Sequence, residues 1–375
     1  MRVKAAVLRT VGAPQPYATS RPLDITEVEL APPGRGEVLV RLKATGLCHS
    51  DLSVMNGDRP RPVPMVLGHE SAGIVVALGA GVEGLAVGDH VVTAFVPSCG
   101  HCGPCVAHRP ALCEPGFAVN SAGTLLSGER RWSDGATALH HHLGISGFAD
   151  HAVMAAESLV RIAPDLPWEI AAVFGCAVLT GVGAVVNTAQ VQAQHSVAVV
   201  GLGGVGLAAL LGARAVGARE ILAVDLHQDK LDLAARLGAT RTFNASDPDC
   251  AEALRAATGG GVDFAFEMAG SVRALDLAWN ITRRGGTTVT AGLAPPTAQF
   301  TLSPVKLVAE ERTLKGSYIG SCVPQRDIPK FIQWYREGHL PVDALLAERL
   351  RLDDLNEGFD RLATGHTTRQ VVLFD

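Results

Sequence analysis

Hydrophobic residues follow two different rhythms along this chain. Up to about residue 95 they come in short runs of Val, Ile and Ala broken by Gly, Asp and Pro, as in EVLVRLKATGLC (37–48), HESAGIVVALGAGV (69–82) and GDHVVTAF (88–95). Such runs, with regular turn signals and little helical periodicity, predict strands packed as a barrel or sandwich. Residues 114–147 lose the pattern, are polar and Gly-rich and carry HHH at 140–142, which predicts a long loop with its histidines in solvent. From 196 the rhythm changes. SVAVVGLGGVGLAALLGARAVGAREILAVD (196–225) reads as strand, Gly-rich turn, helix and strand, and LDLAARLGA, GVDFAFEMAG, ALDLAWNITRRGG and TTVTAGL continue the alternation. Strands alternating with helices predict a parallel sheet, so the fold class is α/β with a β-rich first part. Beyond about Ser321, IPKFIQWYREG predicts a helix and RQVVLFD an edge strand; no internal repeat or low-complexity linker is visible.

Length and charge narrow the reading. At 375 residues and 47% hydrophobic, the chain is too long for one ordinary domain and predicts two. A net charge of -5, with Lys and Arg scattered, argues against a nucleic-acid footprint or a patch for anionic membrane. The start, MRVKAAVLRTVGAP, has no apolar core of signal-peptide length, so a cytoplasmic protein is expected. IAAVFGCAVLTGVGAVV (170–186) and VAVVGLGGVGLAALLGA (197–213) approach the lower length limit of a membrane span, but their glycines read as buried α/β core.

The motif GLGGVG, Gly201 to Gly206, follows an apolar strand and opens a helix pattern. In that context Gly201 makes a tight turn, Gly203 lets backbone approach a pyrophosphate, and Gly206 permits close helix–strand packing; Gly204 and Val205 complete the loop. The helix N-terminus then faces the phosphates. ILAVD ends in Asp225, placed to accept hydrogen bonds from the adenosine ribose and to repel a 2′-phosphate, which predicts NAD rather than NADP.

Eight cysteines stand at 48, 99, 102, 105, 113, 176, 250 and 322, four of them within fifteen residues. Four thiolates at that spacing can close a tetrahedral shell around Zn²⁺ with no open position; an iron–sulfur cluster also suits four thiolates, and a redox dithiol is the plainer alternative. Cys48 is different. In GLCHSD it has polar neighbours, as a reactive or metal-bound thiol would. With His69 and Cys176 it would make a Cys₂His site with one position free, yet spacing alone does not bring these three together.

The motifs GLCHSD, GHESAG, VGDHV, CGHCGPC with Cys113, GCAVLTG and GLGGVG occur together and in order over nearly the whole chain. In this the chain resembles the zinc-dependent medium-chain alcohol dehydrogenases of the long-insert, dimeric branch. The resemblance implies a GroES-like catalytic domain (1–178, with a zinc lobe at about 97–115), a Rossmann NAD-binding domain (179–320) and a return to the catalytic domain (321–375). It implies Cys48, His69 and Cys176 as catalytic zinc ligands, and Cys99, Cys102, Cys105 and Cys113 as structural ones. An alcohol would lose its proton at the open site and pass a hydride to the nicotinamide.

By the same match Ser50 takes the substrate proton, Asp51 braces His69, and Glu70 sits behind the metal. His49 and Arg369 meet the coenzyme pyrophosphate, Thr180 the nicotinamide and Lys230 the adenosine ribose. His49 stands where relatives often carry Arg, which implies a weaker grip and faster NADH release. Ser53 stands where many relatives complete a proton relay with His, which implies a shortened or water-carried exit. Cys250 and Cys322 are left as structural residues.

The resemblance leaves the substrate open. Glutathione-dependent formaldehyde oxidisers of this branch hold the glutathione carboxylates with an Asp and an Arg, and the matching positions here are Arg59 and Phe117. Val54, Phe95, Phe117, Leu143 and Leu302 are candidate wall residues, favouring primary alcohols with an aromatic or medium-length aliphatic group. A thiol-adduct formaldehyde dehydrogenase is the alternative. Two further readings are a non-catalytic NAD-binding protein, disfavoured by the intact open site, and a zinc-finger nucleic-acid binder, disfavoured by the charge. A homodimer is expected, with a tetramer as the other possibility.

Overall fold

The structure, a computed structural model, describes residues 1–375. It forms two compact units: Met1–Cys176 with Val323–Pro329 and Leu346–Asp375, and Ala177–Cys322 with Lys330–Leu345.

The first unit is built from strands, as the broken apolar runs predict. One set closes into a barrel in the order Arg2–Leu8, Leu23–Leu30, Trp132–Asp134, Thr137–His141 and Met65–Val66. A second sheet runs Leu159–Ile162, His90–Thr93, Glu70–Leu78, Glu37–Gly46, Arg369–Leu373 and Leu346–Leu350, with His151–Ala155 also paired to Glu37–Gly46. Between them lies a core that includes Leu8, Leu47, Leu52, Met55, Phe148, Phe359 and Val372. Leu52, Val54 and Met55 are the buried face of the short helix His49–Met55, and they anchor it in that core. Each such side chain contributes roughly 1.5–3 kcal/mol by leaving water.

Two expectations are corrected here. Residues 114–147 are not one solvated loop: they hold a helix (Glu114–Ala122) and two barrel strands. His141 and His142 are buried, and only His140 keeps partial exposure. The sequence hides this because the buried positions are polar. His141 Nε2 accepts the Arg131 N–H at 3.1 Å while its Nδ1 is buried without a hydrogen bond, and burial pushes its pKa down to about 3, so it is neutral. The second correction is Arg369–Leu373, which is an interior strand, antiparallel to Glu37–Gly46 and parallel to Leu346–Leu350. Its unbroken apolar run Val371–Val372 is what a strand covered on both faces requires.

The second unit is a six-stranded parallel sheet in the order Arg241–Asn244, Glu220–Asp225, Ser196–Val200, Val262–Glu267, Thr282–Thr290 and Thr313–Gly316. Strand order reverses between Ser196–Val200 and Val262–Glu267, which opens a crevice at their carboxyl ends. Cys250 lies in the core on one face of this sheet and Cys322 is fully buried elsewhere in the unit. The apolar run Trp168–Ala189 is a continuous helical stretch, 89% of its most apolar window buried, as core rather than span.

Glu37 ties the 127–131 turn to the first unit's sheet. It is buried, accepts from Arg131 Nε at 2.7 Å, Gly34 N at 2.7 Å and Ser127 Oγ at 2.7 Å, and these bonds outweigh burial to hold its pKa below the ordinary value. A depressed carboxylate pKa stabilises the fold above the unfolded-state pKa, and that contribution fades as pH falls through the folded-state value. Glu37→Gln should therefore cost about 2 kcal/mol in urea unfolding at pH 7, and the gap from wild type should narrow below about pH 4. A gap that does not change with pH would show that the charge is not what matters.

Candidate active site

Cys48 is the last extended residue before the helix His49–Met55, and the Asp51 carboxylate caps that helix by accepting the Cys48 N–H at 3.2 Å. His69 and Glu70 enter from the start of strand Glu70–Leu78. Cys176 comes from a π-helical turn, Phe174–Val178, a local widening common at functional sites. Gly175 lets that turn approach the carbonyl of Thr93 so closely that any Cβ would collide.

These elements bring Cys48, His69, Glu70 and Cys176 together, each offering a ligand atom within 4.8 Å of the others and all buried. Cys176 Sγ is 3.6 Å from His69 Nε2, and Glu70 Oε1 is 3.9 Å from it. Hydrogen bonding to Cys176 holds the Cys48 thiol well below its ordinary range; the same bond, with burial, pushes Cys176 up. Burial raises Glu70 to about 7 against the pull of Arg369. Both Glu70 carboxylate oxygens are buried without a hydrogen bond of good geometry, although Arg369 Nη2 stands 3.0 Å from Oε1. Soft sulfur, imidazole and an unsatisfied carboxylate in one dry pocket form a donor set that fits zinc. Ser50 Oγ lies 3.7 Å from Cys48 Sγ at the rim.

Asp51 is fully buried and holds His69 Nδ1 at 3.1 Å, leaving Nε2 toward the cluster. Burial works against its charge, but His69 and His142 outweigh it and lower its pKa. His142, with Nδ1 3.1 Å from Asp51 Oδ1, is the neighbour that sequence reasoning missed. Ser53 does not extend outward from Ser50: its hydroxyl donates to His49 O at 2.9 Å, within the helix. His49 is exposed. Arg369 is buried and donates to Leu47 O at 2.7 Å besides meeting Glu70.

The second cluster is Cys99, Cys102, Cys105 and Cys113, again within 4.8 Å of one another. Cys99, Cys102, Cys105 and Cys113 are free thiols. Backbone N–H groups of Cys99 and Gly116 point at Cys113 Sγ (3.3 and 3.4 Å), and that of Cys102 at Cys99 Sγ (3.4 Å). Amides aimed at sulfur favour thiolates, and four thiolates leave no position for substrate.

In the second unit the Gly201–Gly206 loop joins strand Ser196–Val200 to helix Gly204–Ala215. A Cβ on Gly206 would strike Gly201 O, whereas nothing lies within 4 Å of a Cβ position on Gly203, an open cradle at the helix N-terminus. Asp225 Oδ2 accepts Leu202 N–H at 2.6 Å and Oδ1 accepts His227 N–H at 3.0 Å, so the acid shapes the loop as well as closing its far side. A cavity of about 300 Å³ beside it, walled by Val224, Leu226, Ala251 and Leu277, fits a flat base. Lys230 and Thr180 are buried in the same unit. Loop, acid and cavity fit a dinucleotide.

Residues 34–165 match the family model of the alcohol dehydrogenase GroES-like domain, and residues 204–337 that of the zinc-binding dehydrogenases. S-(hydroxymethyl)glutathione dehydrogenase of Paracoccus denitrificans is 35% identical and alcohol dehydrogenase class-3 of Cereibacter sphaeroides 36%, each over 100% of both chains. Among solved structures, benzyl alcohol dehydrogenase of Acinetobacter calcoaceticus superposes with a TM-score of 0.93 at 32% identity, covering 100% of both chains. An alcohol dehydrogenase zinc-binding domain protein of Burkholderia ambifaria gives 0.93 at 35%, covering 100% of this chain and 99% of that one. The chain belongs to the zinc-dependent medium-chain alcohol dehydrogenase family, and it has that family's GroES-like and Rossmann folds. It is a zinc-binding oxidoreductase of that family, and its glycine loop with Asp225 fits NAD.

Asp225→Ser would lose the loop's anchor and the repulsion of a 2′-phosphate together. The KM for NAD should rise about tenfold or more while the NADP/NAD ratio of kcat/KM increases. Steady-state kinetics with both coenzymes checks this; an unchanged ratio would remove Asp225 as the discriminating group.

Proposed function

We propose that this protein interconverts primary alcohols and aldehydes with NAD, the first unit acting as catalytic domain and the second as coenzyme domain. The observation that carries the reading is the buried Cys48–His69–Cys176 cluster with the Ser50 hydroxyl beside it. When bound, zinc supplies Lewis acidity toward an alcohol oxygen and NAD supplies the hydride acceptor. Cys48, His69 and Cys176 hold the metal, and Asp51 keeps His69 in the tautomer that presents Nε2. Glu70 stands behind the ligands, its charge moderated by Arg369. Ser50 takes the substrate proton. The Ser53 hydroxyl is engaged within its own helix, so the proton leaves Ser50 for solvent without a second side-chain step at that position. Cys99, Cys102, Cys105 and Cys113 hold the structural zinc. His49, Arg369, Thr180, Lys230 and the 201–206 loop are proposed to hold the coenzyme.

For the substrate we favour aromatic or medium-length aliphatic primary alcohols. Buried Val54, Phe95 and Leu143 supply apolar surface, and Phe117, 66% exposed, puts an aromatic ring where the glutathione-dependent branch carries a polar residue. A second reading, oxidation of a thiol adduct of formaldehyde, is favoured by the names of the curated relatives. The long segment 114–147 supports a homodimer, as in the branch that shares it.

The test is NADH formation with benzyl alcohol, hexanol and S-(hydroxymethyl)glutathione in parallel, with zinc measured per chain. Turnover of the first two, with two zincs, is expected. Preference for the glutathione adduct would select the second reading, and turnover of none would remove both. Ser50→Ala should keep both zincs yet lower kcat on the order of 10²–10⁴-fold; a smaller loss would exclude Ser50 as the proton acceptor.

A further inference from the structure

The histidine at 142 has no role in the reading above, and its surroundings give it one. Asp51 is cut off from water, so each of its oxygens depends on protein donors. Oδ2 receives the Cys48 N–H at 3.2 Å. Oδ1 receives the Gly68 N–H at 3.2 Å and His69 Nδ1 at 3.1 Å, and His142 Nδ1 stands at 3.1 Å from the same atom. The His142 contact is off the line of a straight hydrogen bond, and that nitrogen has no other protein partner. The imidazole of His69 is also fenced by two rings, each with its centroid 5.4 Å away and nearly perpendicular: Phe95 at 86° and His142 at 89°.

The backbone holds His142 there at some cost. The next residue, Leu143, has φ 51° and Ser146 has φ 56°, a left-handed geometry that non-glycine residues rarely adopt. The turn closes on His142 itself: its N–H donates to Ser146 Oγ at 3.1 Å, and its carbonyl accepts from Ile145 N at 3.0 Å and Ser146 N at 3.2 Å. Strained backbone persists where the surroundings fix it, and it clusters at working sites.

We propose that His142 is a positioning residue for the open metal site: it pins the Asp51 carboxylate from the side opposite the helix and fences the ring of His69, so that Nε2 points at the ion. The inference rests on the reading that Cys48, His69 and Cys176 bind zinc. Without His142, Asp51 keeps its backbone donors but loses the contact that stops it turning away from His69. A histidine ligand whose carboxylate partner is disturbed typically loses ten- to a hundredfold in metal affinity.

The experiment measures zinc release from the purified protein to a chromogenic chelator, without substrate or coenzyme. Cys48→Ala identifies which release phase belongs to the open site, leaving the four-cysteine zinc as an internal control for folding. His142→Phe should release the open-site zinc about ten- to a hundredfold more readily, with the control phase unchanged. His142→Asn, whose amide nitrogen can reach the Nδ1 position, should restore retention to within a few-fold of wild type. His142→Ala replaces the phenylalanine variant if that one does not fold. Unaltered release from His142→Phe or His142→Ala would overturn the proposal. So would Asn failing as badly as Phe, since the ring's volume rather than its nitrogen would then be what matters. If wild type itself holds only the four-cysteine zinc, the metal-site reading fails instead, and the Cys48→Ala comparison shows it.

Discussion

A carboxylate with no access to water must be surrounded by donors or give up its charge, and the organisation of the first unit follows from how Asp51 meets that demand. Its donors come from the helix start at Cys48, the turn at Gly68 and the ring of His69, with His142 in contact from the segment after the barrel strand. Three separate stretches of chain therefore agree on one point in space. The apolar face of the helix His49–Met55 fixes where that point lies, because Leu52 and Met55 are buried in the core beside Phe148 and Phe359. The dry interior makes each of these bonds stronger than it would be at the surface and makes each omission more costly.

The second unit solves a similar problem with backbone. Asp225 also uses both oxygens, but its partners are the N–H groups of Leu202 and His227, so one acid shapes the glycine loop from the neighbouring strand. The parallel sheet supplies the rest, since its strand order makes the crevice and the helix Gly204–Ala215 begins there. Here the geometry is carried by topology and glycine, with few side chains involved. In the first unit it is carried by side chains converging from distant places.

That difference explains what the amino-acid sequence disclosed. The dinucleotide loop was legible because strand, glycines and acid follow one another within thirty residues, and the four-cysteine cluster because its ligands share one short lobe. Cys48, His69 and Cys176 could be joined only through family resemblance: nothing local says that a helix start, a strand start and a π-helical turn converge. The histidines at 140–142 misled in the other direction. Their polarity suggested solvent, yet alternation along strand Thr137–His141 and the turn beyond it buries two of them. Periodicity detects apolar burial and is blind to polar residues buried against distant partners, here the Arg131 N–H and Asp51. The strand at 369–373 reads as an edge because it opens on Arg369 and Gln370, yet both are buried with Val371 and Val372.

That last strand has a consequence for how the molecule is made. Arg369 reaches Leu47 O across 322 residues of chain, and its neighbours complete the ladder of strand Glu37–Gly46. Until residues 369–373 emerge from the ribosome, the Ala44–Gly46 end of that strand lacks partners on one side and Glu70 lacks its guanidinium. Synthesis at about 5–20 residues per second makes this interval many seconds long, far longer than local strand pairing takes. The nascent first unit is thus an open sheet waiting for its closing strand, the kind of species that invites a chaperone or a wrong partner. Its metal pocket acquires its full set of surrounding charges only once Arg369 has been made, 299 positions after Glu70.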